Sequence, residues 1–130
     1  METTLFMADD SVIILRALTE MFSKIPGLKL VGSAETVESA KEAIARLDPD
    51  IVILDYQFKQ GNGLEIVRFI LDSQLKRNPR IFIFTNYGYP ALKRECLAQG
   101  ADFFFKKIGE LELLIKEIKN ICHQSSNNGG

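Results

Sequence analysis

Two rhythms of apolar and polar residues alternate along this chain. Thr4–Ala8 is a short, mostly apolar run and reads as a buried strand. From Val12 to Ile25 the residues Ile14, Leu15, Leu18, Met21, Phe22 and Ile25 recur at helical spacing, and Pro26-Gly27 stops that helix. Leu28–Ser33 reads as a second strand. Thr36 offers an N-cap to a helix whose stripe is Val37, Ala40, Ala43, Ile44 and Leu47, ending at Asp48-Pro49. Ile51–Leu54 is a short β-branched run, the third strand, and Gln60-Gly61-Asn62-Gly63 is a loop. Leu64, Val67, Ile70 and Leu71 mark one face of a helix over Leu64–Lys76. Arg80–Phe84 is the fourth strand. Pro90 suits the first turn of a helix that runs to Gln99, with Gly100 after its end. Ala101–Phe105 is the fifth strand, and Glu110–Cys122 the last helix, with Leu111, Leu114, Ile115, Ile118 and Cys122 inward.

The pattern is (βα)5 in one α/β domain. Strands three and four are solid apolar runs, which fits strands covered on both faces: a doubly wound parallel sheet with helices on each side. Right-handed crossovers leave few topologies. No internal repeat is present. Residues 1–123 are expected to form the domain. The stretch 124–130, with Ser125-Ser126-Asn127-Asn128-Gly129-Gly130 and no apolar side chain, is expected to be a disordered tail, whether a natural end or part of a linker.

Composition adds mainly exclusions. A chain of 130 residues with 46% apolar residues can bury one real core. Sixteen basic and seventeen acidic residues give a net charge of −1, so bulk electrostatics favour neither nucleic acid nor an anionic membrane. No apolar run reaches the ~18 residues a membrane span needs. Met1 to Asp9 is too short for a signal peptide, so a cytoplasmic location is expected. Cys96 and Cys122 form no CxxC and fall in helical stretches, where buried reduced thiols are expected. The single histidine, His123, is expected to be exposed near a helix end. It can build neither a His-rich metal site nor a Ser-His-Asp triad.

In an open parallel sheet, ligands bind beyond the carboxyl ends of the strands. Asp9-Asp10 follow strand one, Asp55 follows strand three, Thr85 follows strand four and Lys106-Lys107 follow strand five. Each has an ordinary reading on its own. Asp10 or Ser11 could cap a helix, Asp55 is a loop acid, Thr85 a strand-end hydroxyl, the lysines solvated charges, and Phe103-Phe104-Phe105 core. Their convergence on one edge is the informative part. Two carboxylates ~4 Å apart repel by roughly 4 kcal/mol at an effective dielectric of about 20. A proton, the lysine or a bound cation must neutralise them. Carboxylates favour a hard divalent ion such as Mg2+, and a carboxylate beside it can be a nucleophile that forms an aspartyl phosphate. A lysine and a threonine hydroxyl would then serve the phosphoryl oxygens.

From about Thr3 to Cys122 these residues resemble the receiver domain of two-component response regulators. The pattern is Asp9-Asp10, Asp55, a glycine eight residues on (Gly63), Thr85, then an aromatic and a lysine around strand five. The resemblance implies a flavodoxin-like, CheY-like fold with strand order 2-1-3-4-5. It makes Asp55 the phosphoacceptor, Asp10 a direct Mg2+ ligand, Asp9 a ligand through water and the backbone carbonyl of Gln57 a further ligand. Thr85 would bind the phosphoryl group and Lys107, seven residues after Gly100, would pair with it. Phe104 would be the switch aromatic; Lys106 and Phe105 are one register off. Implied partners are a sensor histidine kinase or a histidine phosphotransfer protein and a downstream protein target, with no direct nucleic acid and no membrane. The target would bind the face of helix 4, strand 5 and helix 5, through which a weak homodimer is also conceivable. Such a receiver is no enzyme beyond catalysing its own phosphorylation and dephosphorylation. No output domain is expected in the remaining residues, so output is expected through protein contacts or onward phosphotransfer.

Three residues depart from the family's pattern. Lys59 stands four residues after Asp55, where proline is common. Ile108 follows Lys107, also in place of proline, and a cis bond there would cost ~3 kcal/mol, so trans is expected. Asn86 replaces a small residue. The run Asn86-Tyr87-Gly88-Tyr89-Pro90 is unusually aromatic, fit either for a partner surface or for packing on the sheet edge. Alternative readings are a relay intermediate that passes its phosphoryl group to a histidine phosphotransfer protein and a phosphorylation-independent adaptor. A flavin module of flavodoxin type shares the topology, but two acids after strand one would repel its phosphate.

Overall fold

A computed structural model of the chain describes residues 2–128. Ten elements alternate: β1 (Thr3–Ala8), α1 (Val12–Phe22), β2 (Leu28–Ala34), α2 (Val37–Leu47), β3 (Ile51–Leu54), α3 (Gly63–Ser73), β4 (Arg80–Thr85), α4 (Pro90–Ala98), β5 (Phe103–Lys106) and α5 (Leu111–Asn128). The strands pair in parallel in the order β2-β1-β3-β4-β5. This is the doubly wound, flavodoxin-like order that the family resemblance implies.

The pleat sends successive strand residues to opposite faces, which divides the core in two. Phe6, Val52, Leu54, Ile81, Ile83 and Phe104 face α2, α3 and α4, meeting Ile44, Val67, Leu92 and Cys96. Leu5, Met7, Ile53, Phe82 and Phe84 face α1 and α5, meeting Leu18, Phe22, Leu114 and Ile118. All four β3 residues are buried because helices cover both sides. Burying each such side chain stabilises the fold by roughly 1.5–3 kcal/mol. Phe103 and Phe105 stay half-buried; Phe103 stacks on both Phe82 and Phe105, and Phe105 lies tilted to Phe82.

Local chemistry fixes the helix starts. Ser11 caps α1 and Thr36 caps α2 through their hydroxyls. Asn62 and Glu65 form a reciprocal capping box on α3. Pro90 opens α4 without a side-chain cap. The opposite edge of the sheet is tied by Asp50, whose Oδ2 accepts from the amide and hydroxyl of Thr4, and by Asp102, whose Oδ2 accepts from the Ile81 amide.

Several boundaries differ from the sequence reading. Helix α1 ends at Phe22, because Lys24 and Ile25 bond back three residues in a tightened turn that still buries Ile25. Met21 and Leu71 lie at the margins of their stripes and are 37% and 50% exposed. Helix α3 stops at Ser73, where Gln74 turns left-handed. Strand β5 begins at Phe103, since the Ala101 amide is spent on Cys96 O in the turn around Gly100. Helix α5 continues through residues 124–128, where a tail was expected. Once a helix is nucleated, each added residue makes one more backbone bond. The rest of that expected tail, Gly129 and Gly130, lies outside the described residues. Every described peptide bond is trans, including Lys107–Ile108. No described helix is long and apolar enough to cross a membrane.

Candidate functional site at the carboxyl edge of the sheet

The sheet's own hydrogen bonding carries each polar residue to its place. The Asp9 amide donates to Ala34 O, the Asp55 amide to Ala8 O and the Lys107 amide to Thr85 O, at 2.9–3.0 Å. These bonds prolong the parallel ladder beyond the strands, so the residues stand on rigid backbone rather than on free loops.

Their side chains converge. Lys107 Nζ lies 2.6 Å from Asp9 Oδ2 and 3.0 Å from Asp55 Oδ2. The second oxygen of each acid takes a backbone amide: Ser11 N to Asp9 Oδ1 at 2.9 Å and Tyr56 N to Asp55 Oδ1 at 2.7 Å. Asp9 and Asp55 are buried, and Asp10 is half-buried. One carboxylate oxygen from each of the three lies within 4.8 Å of the others. They border a cavity of about 380 Å3 that Ile14, Gln57, Asn86 and Tyr87 also line.

Burial pushes the Asp9 carboxyl above the usual carboxylate range, against the hydrogen bonds from Lys107 and the Ser11 amide. Burial alone would lower the Lys107 ammonium. The hydrogen bond to Asp9 and the fields of Asp55 and Asp9 outweigh it, and the net shift is upward, so this lysine stays charged. Three carboxylates against one ammonium leave the cluster negative. Its donors are all hard oxygens, which suits a divalent cation such as Mg2+.

Thr85 is fully buried, does not line the cavity, and accepts the Tyr87 amide on Oγ1 at 3.3 Å. Phe104 is buried in the core beneath α4. Gln57 lines the cavity, and its backbone pairs with Asn62 across the turn that leads into α3. Gly63 makes that turn feasible, since a Cβ there would lie 2.3 Å from the Asp55 carbonyl oxygen. Of the two adjacent lysines, only Lys107 reaches the acids. The stem of Lys106 crosses Gly88, where a Cβ would lie 2.2 Å from its Cδ. Lys59 is exposed and lines a neighbouring groove of about 610 Å3, shared with Asp10, that Glu35, Glu38 and Glu65 also border. Asn86 lines the acidic cavity, and Ile108 is 81% exposed. Sequence reasoning passed over the Ser11 and Tyr56 amides and Ile14. The capping serine was the one available signal for the first.

The chain matches the family model described as the response regulator receiver domain over residues 5–119. It is similar to the DNA-binding transcriptional activator DevR/DosR of Mycobacterium tuberculosis, with 31% identity over 83% of this chain and 49% of that protein. A second relative is a protein-glutamate methylesterase/protein-glutamine glutaminase of Oleidesulfovibrio alaskensis, 29% identical over 87% of this chain and 31% of that protein. The chain thus spans a third to a half of the length of these curated relatives. Among solved structures it resembles the response regulator domain of Thermotoga maritima CheB, with TM-score 0.82, 22% identity and 98% of each chain covered. It also resembles the Borrelia burgdorferi CheX-CheY-BeF3-Mg2+ complex, with TM-score 0.79, 23% identity, and 92% of this chain and 88% of that one covered.

Proposed function

This chain belongs to the response regulator receiver domain family of two-component signalling, and from that premise we propose that Asp55 is its phosphoacceptor. The observation that carries the reading is the Lys107 ammonium held between the buried carboxylates of Asp9 and Asp55, with Asp10 alongside. Asp9, Asp10 and Asp55, with the carbonyl of Gln57, are the residues that would hold Mg2+. When bound, the ion neutralises charge on the phosphoryl oxygens.

An Asp55 carboxylate oxygen attacks the phosphorus of a phosphohistidine on a kinase or phosphotransfer partner. One O–P bond forms, the N–P bond breaks, and the imidazole nitrogen leaves with its electron pair. The phosphoryl group itself carries ~1.5 to 2 negative charges, and because the carboxylate gives up its own, the site gains about one. Lys107, already charged and within reach, exchanges its carboxylate partners for a phosphoryl oxygen. The Thr85 hydroxyl moves to donate to another, and Phe104 follows. The face of α4, β5 and α5 then presents a changed surface to a cytoplasmic protein target, and homodimer contacts would use the same face. The DNA-binding and methylesterase activities named for the longer relatives remain theirs.

The test is intact mass after incubation with acetyl phosphate, with and without Mg2+, on wild type and Asp55→Asn. The expected result is a Mg2+-dependent gain of one phosphoryl group by wild type and none by the variant. Equal labelling of both proteins would remove Asp55 from the role. If Mg2+ also failed to bind the wild type, the phosphorylation-independent adaptor would replace this reading.

A further inference from the structure

Asp55 has a second connection to the fold, apart from Thr85 and Phe104. The Tyr56 amide donates to Asp55 Oδ1 at 2.7 Å, while the Tyr56 carbonyl accepts the Gly63 amide at 2.6 Å. Gly63 packs so closely that a Cβ there would lie 3.3 Å from the Tyr56 Cα. The backbone of Tyr56 is therefore pinned from both sides.

That ring is half-buried and packs against the core that contains Leu92 and Cys96 of α4 together with Phe104. The groups around its phenol are consistent with this. Burial chiefly, then the Glu95 carboxylate, the Tyr89 phenol and the Cys96 thiol, push the phenol's pKa up. Glu95 and Cys96 belong to α4, and Tyr89 is its N-cap. One residue thus bonds the acceptor through its backbone, while its ring packs on the core cluster to which Leu92 and Cys96 of α4 belong.

We propose that Tyr56 is a positioning residue that carries a change at the Asp55 carboxylate to helix α4, through its amide at one end and its ring at the other. This rests on the phosphoacceptor reading above. In an acyl phosphate the oxygen on Tyr56 N–H becomes a neutral carbonyl, and a charge-assisted hydrogen bond about twice as strong as a neutral one is lost. The pinned backbone relaxes, and the ring shifts against Leu92 and Cys96.

The experiment compares wild type, Tyr56→Phe and Tyr56→Ala as full chains, with acetyl phosphate and Mg2+. Intact mass reads phosphoryl gain, and amide hydrogen exchange reads Pro90–Ala98 before and after. Wild type and Tyr56→Phe are expected to gain the group and change α4 exchange alike. Tyr56→Ala is expected to gain the group too, with an α4 response per phosphoryl group about fivefold smaller or less. Tyr56→Leu, which keeps apolar bulk without a planar ring, takes its place if circular dichroism finds the alanine variant unfolded. An undiminished α4 response in the ringless variant overturns the assignment alone. So does loss of phosphoryl gain in that variant, which would put Tyr56 in the acceptance step. Absence of phosphoryl gain in wild type overturns the acceptor reading and this proposal with it.

Discussion

Gly63 is the most tightly constrained residue of the site. An added methyl group would meet a backbone carbonyl, not the yielding end of a side chain. Gly63→Ala is therefore expected to destabilise the protein by about 1–3 kcal/mol, read as a lower urea midpoint, and to reduce phosphoryl gain because Asp55 must move. The acids and Lys107 were legible in the sequence because each directly follows a strand, and strands announce themselves as apolar runs. The choice of Lys107 over Lys106 rested on a count from Gly100, and the geometry brings Lys107, not Lys106, to the acids. The amides of Ser11 and Tyr56 were not legible, since every residue carries one and only the folded backbone decides where it points.

At the scale of elements, strand and helix identities followed from periodicity, whereas helix ends did not. The ends of α1 and α3 depend on a three-residue back-bond and on a left-handed Gln74, neither of which hydrophobic spacing encodes. Helix α4 is the least amphipathic in its sequence, yet it buries Leu92 and Cys96 fully. Burial pushes the Cys96 thiol up to about 11, with a smaller contribution from Glu95. An unfolded thiol titrates at about 8.5. Its contribution to stability is therefore fully present below that pH and is lost as pH rises through about 11. Urea midpoints measured from pH 8 to 11 should fall less steeply for Cys96→Ala than for wild type. A thiol reagent at pH 8 should label Cys96 only after unfolding.

For the whole molecule, the near-neutral chain hides a concentrated local imbalance. Three carboxylates and one ammonium leave two uncompensated negative charges at one edge of the sheet. A divalent cation would cancel them, and the three acids converge only in the folded arrangement. Free Mg2+ at tenfold its dissociation constant should stabilise wild type by ~1.4 kcal/mol, and the gain should shrink in Asp10→Asn. Urea titration at graded Mg2+ reads both. The chain also has three tyrosines and no tryptophan. Tyr56 lies between β3 and α3, and Tyr87 and Tyr89 lie between β4 and α4. Excited beyond the phenylalanine absorption band, its ultraviolet emission therefore originates in the two loops beside Asp55. The protein carries its own optical gauge of the pocket, and cation binding or group transfer there can be followed in real time without attaching a dye.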